Sequence, residues 1–286
     1  MAKTMNNQEV NNSVKRKEKL NELDGKTWIR YSISIWDTIK TPEETKLKHP
    51  AMFPAELCKR LVEIYTKKGD VVLDPFMGSG SAIIMARDME RKGIGFDVNP
   101  AFVTLTKSRL SQRKLIQLNV DEPDIYCEDA INLPKFVEPN SVEFVLTSPP
   151  YWNIHTRKRT ADYKKPRPYS TLEKDIGNIT DFNEFMTELK SIFQKVYAVL
   201  KHGKKCVIIV MDIRKGSGFF PFHMDISDMM KEIGFVLEDI IIWDRKKEYS
   251  NLRPLGYPYV FIVNKIHEYI LIFRKNRVEE IGKTVS

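Results

Sequence analysis

A chain of 286 residues, 42% hydrophobic and 29% charged, has the apolar material for one large α/β domain as readily as for two small ones. No apolar run approaches the roughly 18 residues that cross a membrane, and the polar start from Met1 to Lys19 is unlike a secretory signal, so a cytoplasmic protein without a membrane span is expected. A net charge of +8 leans toward a polyanionic partner, while Cys58, Cys127 and Cys206, widely spaced in apolar surroundings, offer neither a disulfide framework nor a zinc site.

Residues 1–25 are rich in Asn, Lys and Glu with little to bury, which predicts a flexible arm ahead of a single domain over residues 26–286. Trp28 to Trp36 alternates and predicts an extended segment at one edge. Leu57, Leu61, Val62 and Ile64 fall at helical spacing within Ala55 to Lys68. Val71 to Leu73 predicts a short strand ending in Asp74, followed by a glycine-rich turn and a helix to about Arg91. A second strand, Gly93 to Phe96, ends at Asp97, and Pro100 suits the first turn of a helix reaching Arg113. Ile125 to Cys127 is a third strand, leading into Glu128-Asp129, and Val142 to Leu146 is a fourth. Residues 153–180 form a basic, proline-containing segment of low periodicity. Beyond it the pattern gives a helix over Phe182 to Leu200, a strand over Lys205 to Met211 and a helix over Met224 to Ile233. Strands over Leu237 to Trp243 and Ile266 to Phe273 flank a loop within residues 245–262. Alternating strands and helices predict a doubly wound, mostly parallel sheet, and the last two strands, joined without a helix, predict an antiparallel C-terminal hairpin.

Chemistry concentrates at the strand ends. Asp74-Pro75-Phe76-Met77-Gly78-Ser79-Gly80 lies between a strand and a helix, where doubly wound sheets bind ligands. It is neither the Gly-x-Gly-x-x-Gly fingerprint, since position 83 is Ile, nor a phosphate loop with Gly-Lys-Ser/Thr. A strand-tip acid such as Asp97 can accept both hydroxyls of a ribose, and Asp129 could accept from an adenine amino group; a lone acid of this kind is as readily a helix cap. Three acids on three strand ends beside a glycine-rich turn describe a pocket for an adenosine-bearing cofactor. Thr147-Ser148-Pro149-Pro150-Tyr151-Trp152 adds a hydroxyl, two rigid prolines whose carbonyls can face outward, and two aromatic rings on which a planar ligand could stack.

Together these motifs resemble those of the amino-methylating DNA methyltransferases, the cytosine-N4 and adenine-N6 family. Asp74 to Gly80 resembles its Phe-x-Gly-x-Gly cofactor motif, and Ser148-Pro149-Pro150-Tyr151 its catalytic Asp/Asn/Ser-Pro-Pro-aromatic motif. His49-Pro50-Ala51-Met52-Phe53-Pro54 is similar to the segment preceding the cofactor motif, and the likeness reaches His267 to Phe273, covering roughly Trp28 to Lys275. The resemblance implies a Rossmann-like fold and S-adenosylmethionine as methyl donor to an amino nitrogen; the five histidines show no metal-ligand spacing, and no metal is expected. Phe76, Gly78 and Gly80 would line its methionine part, Asp97 would hold the ribose, Asp129 the adenine amino group, Pro50 and Phe53 would sit nearby, and Asp74 would face its amino group.

The residues suit that chemistry independently. An exocyclic amine is a poor nucleophile because its lone pair is delocalised into the ring. Ser148 and the Pro149 carbonyl could each accept one amino hydrogen, Pro150 would stiffen the corner, and Tyr151 could stack on a base swung out of a duplex. Within the resembling family, Ser in the first motif position goes mainly with cytosine-N4; adenine-N6 in DNA and an RNA base are the alternatives, and a non-catalytic nucleic-acid-binding module a further one.

The implied partners are DNA, a cognate restriction endonuclease in a restriction-modification pair, and a second copy of the chain. The cofactor motif precedes the catalytic motif, unlike in many serine-motif members, and no large recognition insertion is visible. Recognition is then expected from the two loops, 153–180 and 245–262. Trp152, His155, Arg157, Lys158, Arg159, Lys164, Lys165 and Arg167 in or beside the first, and Arg245 and Arg253 in the second, are candidates for phosphate and base contacts. His267 and the Phe219, Phe220, Phe222 group read as packing residues.

Overall fold

The computed structural model describes residues 19–46, 52–113, 121–154, 170, 172, 174–249, 252–277 and 280. In chain order the elements are α1 (Gly25–Tyr31), β1 (Ile35–Trp36), α2 (Pro42–Lys46), α3 (Ala55–Tyr65), β2 (Val71–Asp74), α4 (Ser81–Asp88), β3 (Lys92–Phe96), α5 (Pro100–Ser111), β4 (Asp124–Tyr126) and β5 (Val142–Thr147). They continue with α6 (Phe182–Val199), β6 (Leu200–Val210), β7 (Ile213–Lys215), β8 (Gly218–Phe220), α7 (Phe222–Ile233), β9 (Phe235–Asp244) and β10 (His267–Lys275).

Eight strands form one sheet in the order β1-β9-β10-β6-β5-β2-β3-β4. The pairings from β4 through β3, β2 and β5 to β6 are parallel, and β10 runs antiparallel to both β6 and β9. The expected antiparallel C-terminal hairpin is therefore present as β9 and β10, and its last strand does not lie at the sheet edge. It is inserted between β9 and β6.

The central strands read as unbroken apolar runs because both faces are covered. Val145, Ile208, Val210, Leu271 and Phe273 face the layer containing α6 and α7, while Phe144, Leu146, Val207, Ile209, Ile270 and Ile272 face that of α3 and α4. The period-2 alternation of a strand thus divides one run between two cores. Helix α6 meets its core through Phe185, Leu189, Ile192, Phe193 and Val196, at spacings of three and four, and Asp181 caps it by accepting from the Glu184 N–H at 2.9 Å. Each such side chain contributes about 1.5–3 kcal/mol relative to exposure.

Trp28 to Trp36 is not one extended segment. Asp24 accepts from both the N–H and the hydroxyl of Thr27 at 2.9 Å and starts α1, so only Ile35–Trp36 pairs, in parallel with Ile242–Trp243 at the sheet edge. A local cap outweighed the alternation there. Of the cysteines, Cys58 and Cys206 are buried as expected, but Cys127 is exposed just past β4. The expected arm over residues 1–25 lies outside the described residues up to position 18; Asn21 is already docked, donating to the Ile64 carbonyl at 2.8 Å.

Strand order reverses beside β2: β3 and β4 extend to one side and β5 and β6 to the other. Ligands of open α/β sheets bind outside the carboxyl ends at this switch point. Asp74 closes β2 there, and Ser148 follows β5.

Candidate active site

A cleft opens at that switch point, lined by residues of all the expected cofactor tips and by the edge of the Ser-Pro-Pro-Tyr motif. Asp74, Phe76, Gly78, Asp97, Asp129, Ser148 and Pro150 share it with Phe53.

The glycine loop is held from three sides. The Gly78 N–H donates to Asp97 at 2.9 Å, and the Met77 N–H donates to the Phe96 carbonyl at 2.9 Å. From α5, the Thr106 hydroxyl donates to the Gly78 carbonyl at 3.1 Å, and Arg109 donates to the Ser79 carbonyl. Gly80 adopts φ +74° as the residue before α4, and a Cβ there would collide with the Thr106 side chain. Only glycine meets both conditions without strain. Gly80 itself shapes the loop from behind rather than lining the cleft.

The acids differ in environment. Asp74 is buried, accepts from the Thr147 hydroxyl at 2.7 Å and from the Phe76 N–H at 3.1 Å, and makes no ion pair among the described residues. Burial pushes its carboxyl up to about 7, against the pull of those two hydrogen bonds. Asp97 accepts from the Gly78 N–H at 2.9 Å and the Asn99 N–H at 2.8 Å, and burial pushes it up to about 6. Asp129 accepts from the Ile131 N–H at 3.0 Å and so caps a short 3-10 turn while facing the cleft. The cap and the ligand readings of that residue are both compatible with its position.

In the Ser-Pro-Pro-Tyr motif, Ser148 and Pro150 line the cleft, and Pro149 and Tyr151 are buried residues of the same corner. Tyr151 is 6% exposed, packs edge-on against Phe222, and donates its hydroxyl to Glu268 at 2.8 Å. Its ring is thus a buried strut and not the open stacking face expected from the motif. Trp152 also corrects its expected contact with nucleic acid. With φ +48° the backbone turns the indole inward, where it is 5% exposed and packs edge-on against Phe182 and Phe220 at 5.2 Å.

Arg245 departs from expectation in the same sense. It is held by Glu248 at 2.6 Å and by Glu268, so its charge is already committed inside the protein. Arg253 is exposed, in a loop where Tyr257, Tyr259 and Phe261 are 78%, 91% and 94% exposed. Pro50, His155, Arg157, Lys158, Arg159, Lys164, Lys165 and Arg167 lie outside the described residues. Thr106, Arg109, Thr147 and Glu268 were missed as site residues: each acts across strands or helices, and only Thr147 and Glu268 lie inside stretches that carried the family resemblance.

The fold and the cleft define the class. A superposition on an S-adenosylmethionine-dependent methyltransferase from Methanosarcina mazei covers 76% of this chain and 97% of that one, with a TM-score of 0.50 at 14% identity, a likeness of fold. The family profile of the N6/N4 DNA methylases matches residues 2–108 and 142–284, and the chain belongs to that family. It is 33% identical over 86 residues to the type II methyltransferase M.HpaI of Haemophilus parainfluenzae, which is 30% of this chain and 27% of that protein. To the type II methyltransferase M.XycI of Xanthomonas campestris pv. cyanopsidis it is 37% identical over 82 residues, 29% of this chain and 27% of that protein. The chain thus aligns with about a quarter of the length of these curated relatives.

Proposed function

We propose that the protein transfers a methyl group from S-adenosylmethionine to the exocyclic N4 amino group of cytosine in DNA. The observation that carries this reading is the meeting of Asp74 and Ser148 in one cleft, at the tips of neighbouring strands β2 and β5. Asp74 is an enclosed carboxyl without an ion pair among the described residues, which fits a cationic ligand group. Asp97 and Asp129 fit the ribose and adenine ends, with Phe76 and Gly78 along the methionine part.

When bound, the cofactor supplies a methyl group already activated on a sulfonium. The protein's task is then positioning for in-line attack. Ser148 and the Pro149 carbonyl accept the amino hydrogens and free the nitrogen lone pair. S-adenosylmethionine would supply the methyl group and leave with the sulfur electron pair, while Ser148 and the Pro149 carbonyl would hold the amine in line and its surplus proton would pass to solvent.

Preference for cytosine over adenine-N6 rests on Ser, rather than Asp or Asn, in the first motif position. The Arg253 to Phe261 loop, with the basic residues of 153–180, is assigned to nucleic-acid recognition, and the domain to a restriction-modification pair with a cognate endonuclease, acting as a homodimer. Labelled cofactor incubated with DNA or RNA, then nucleoside mass spectrometry, tests the reading. N4-methylcytosine in DNA is expected. N6-methyladenine, or label in RNA alone, moves the target; cofactor binding without transfer favours a binding module.

A further inference from the structure

Glu268 places a carboxylate in the middle of the sheet at 4% exposure, and the reaction described above does not use it. One of its oxygens accepts from the Tyr151 hydroxyl at 2.8 Å; the other accepts from Arg245, itself fixed by Glu248. The Ser148 hydroxyl lies 3.3 Å from the Tyr151 oxygen and donates to it. A tyrosine hydroxyl has one proton, and a carboxylate can only accept. The charge-assisted bond to Glu268 therefore takes that proton, ahead of the Ile209 carbonyl at 3.5 Å. Tyr151 then presents lone pairs to Ser148, and the serine proton points away from the cleft.

We infer that Glu268, acting through Tyr151, is a positioning residue that fixes Ser148 as a hydrogen-bond acceptor toward the target amine. The inference rests on the amine-methylation reading. Without a director, a serine hydroxyl is as ready to donate as to accept, and a donor would oppose the amino hydrogens. The buried charge at the end of the row also strengthens each acceptor along it. Arg245 holds the carboxylate in place. A purely structural ion pair would not need a tyrosine from the catalytic corner as its third member.

Glu268→Gln is the informative variant. Arg245 has only donors, so it claims the amide oxygen and turns the amide NH2 toward Tyr151. The tyrosine proton then points at Ser148, and the row reverses. At saturating DNA and cofactor, E268Q is expected to lower kcat by about tenfold or more, with cofactor affinity within about twofold of wild type. Glu268→Asp, which keeps an acceptor, should retain more activity than E268Q. Tyr151→Phe should match E268Q, and the double variant should be no slower than Y151F, because both changes cut one row. A wild-type kcat in E268Q, strictly additive losses, or parallel losses of cofactor affinity and melting temperature would each overturn the inference. A wild-type protein that binds cofactor and methylates no nucleic acid overturns the underlying reaction instead, and this inference with it.

Discussion

The hydroxyl of Thr147, the last residue of β5, donates to the carboxylate of Asp74, the last residue of β2, at 2.7 Å. The bond ties the Ser-Pro-Pro-Tyr corner to the glycine-rich turn across the point where the sheet reverses. A shift in either motif is thereby passed to the other.

Asp74 gives the site a pH dependence with a definite sign. Buried, its carboxyl titrates near 7, against about 3.8 when exposed. Between those values the native protein holds a proton that the unfolded chain releases, so this group's contribution to stability falls as pH rises through the window. A bound cation favours the ionised form and reverses the preference. Cofactor affinity should rise by up to about tenfold per pH unit below 7 and level off above it. Calorimetric titration from pH 5.5 to 8.5 measures this, and in Asp74→Asn the slope should shrink to the part that Asp97, raised to about 6, contributes at the low end; an equal slope in that variant would assign it to another group.

Gly80→Ala tests the glycine turn. The left-handed backbone alone costs roughly 1–2 kcal/mol, and the collision with Thr106 adds to it. Melting temperature and cofactor affinity should fall together. The paired variant Gly80→Ala/Thr106→Ala should recover part of the loss and leave the backbone share.

Asp97 anchors the turn through Gly78 and Asn99, so its replacement acts on the cofactor side of the cleft. Asp97→Ala should weaken cofactor binding about 10- to 100-fold, the range of one or two hydrogen bonds to a charged group. Any effect on DNA affinity should be small. Equilibrium binding of each ligand separates the two.

The exposed aromatics of the loop before β10 should contribute on the nucleic-acid side. Replacing Tyr257, Tyr259 and Phe261 by Ser should weaken DNA binding at least about tenfold, since one base–aromatic stack is worth roughly 1–3 kcal/mol. Cofactor affinity and melting temperature should not move, because these side chains are 78–94% exposed. Unchanged DNA affinity would exclude the loop from recognition.

Much of the fold was legible because its signals are local. Val71 to Asp74 and Val142 to Thr147 are runs with residues of strong strand propensity, each followed by a turn whose chemistry marks a ligand end. The cofactor motif and the catalytic motif were each readable within seven residues. What escaped were relationships over long distances. Glu268 meets Tyr151 across 117 positions, and Arg109 reaches Ser79 across 30. The insertion of β10 between β9 and β6 follows from packing two buried faces, which periodicity does not order. Exposure was misjudged where backbone direction decided it: Trp152 is turned inward by a left-handed φ, a conformation its residue type does not announce.

The insertion of β10 also bears on biosynthesis. A ribosome delivers the cofactor half, through β5 and the catalytic corner, well before Glu268 leaves the exit tunnel. During that interval β6 lacks its antiparallel neighbour, and Tyr151 lacks the carboxylate that receives its proton. The Tyr151–Glu268 bond therefore closes only after 117 further residues have been added beyond the corner that contains Tyr151.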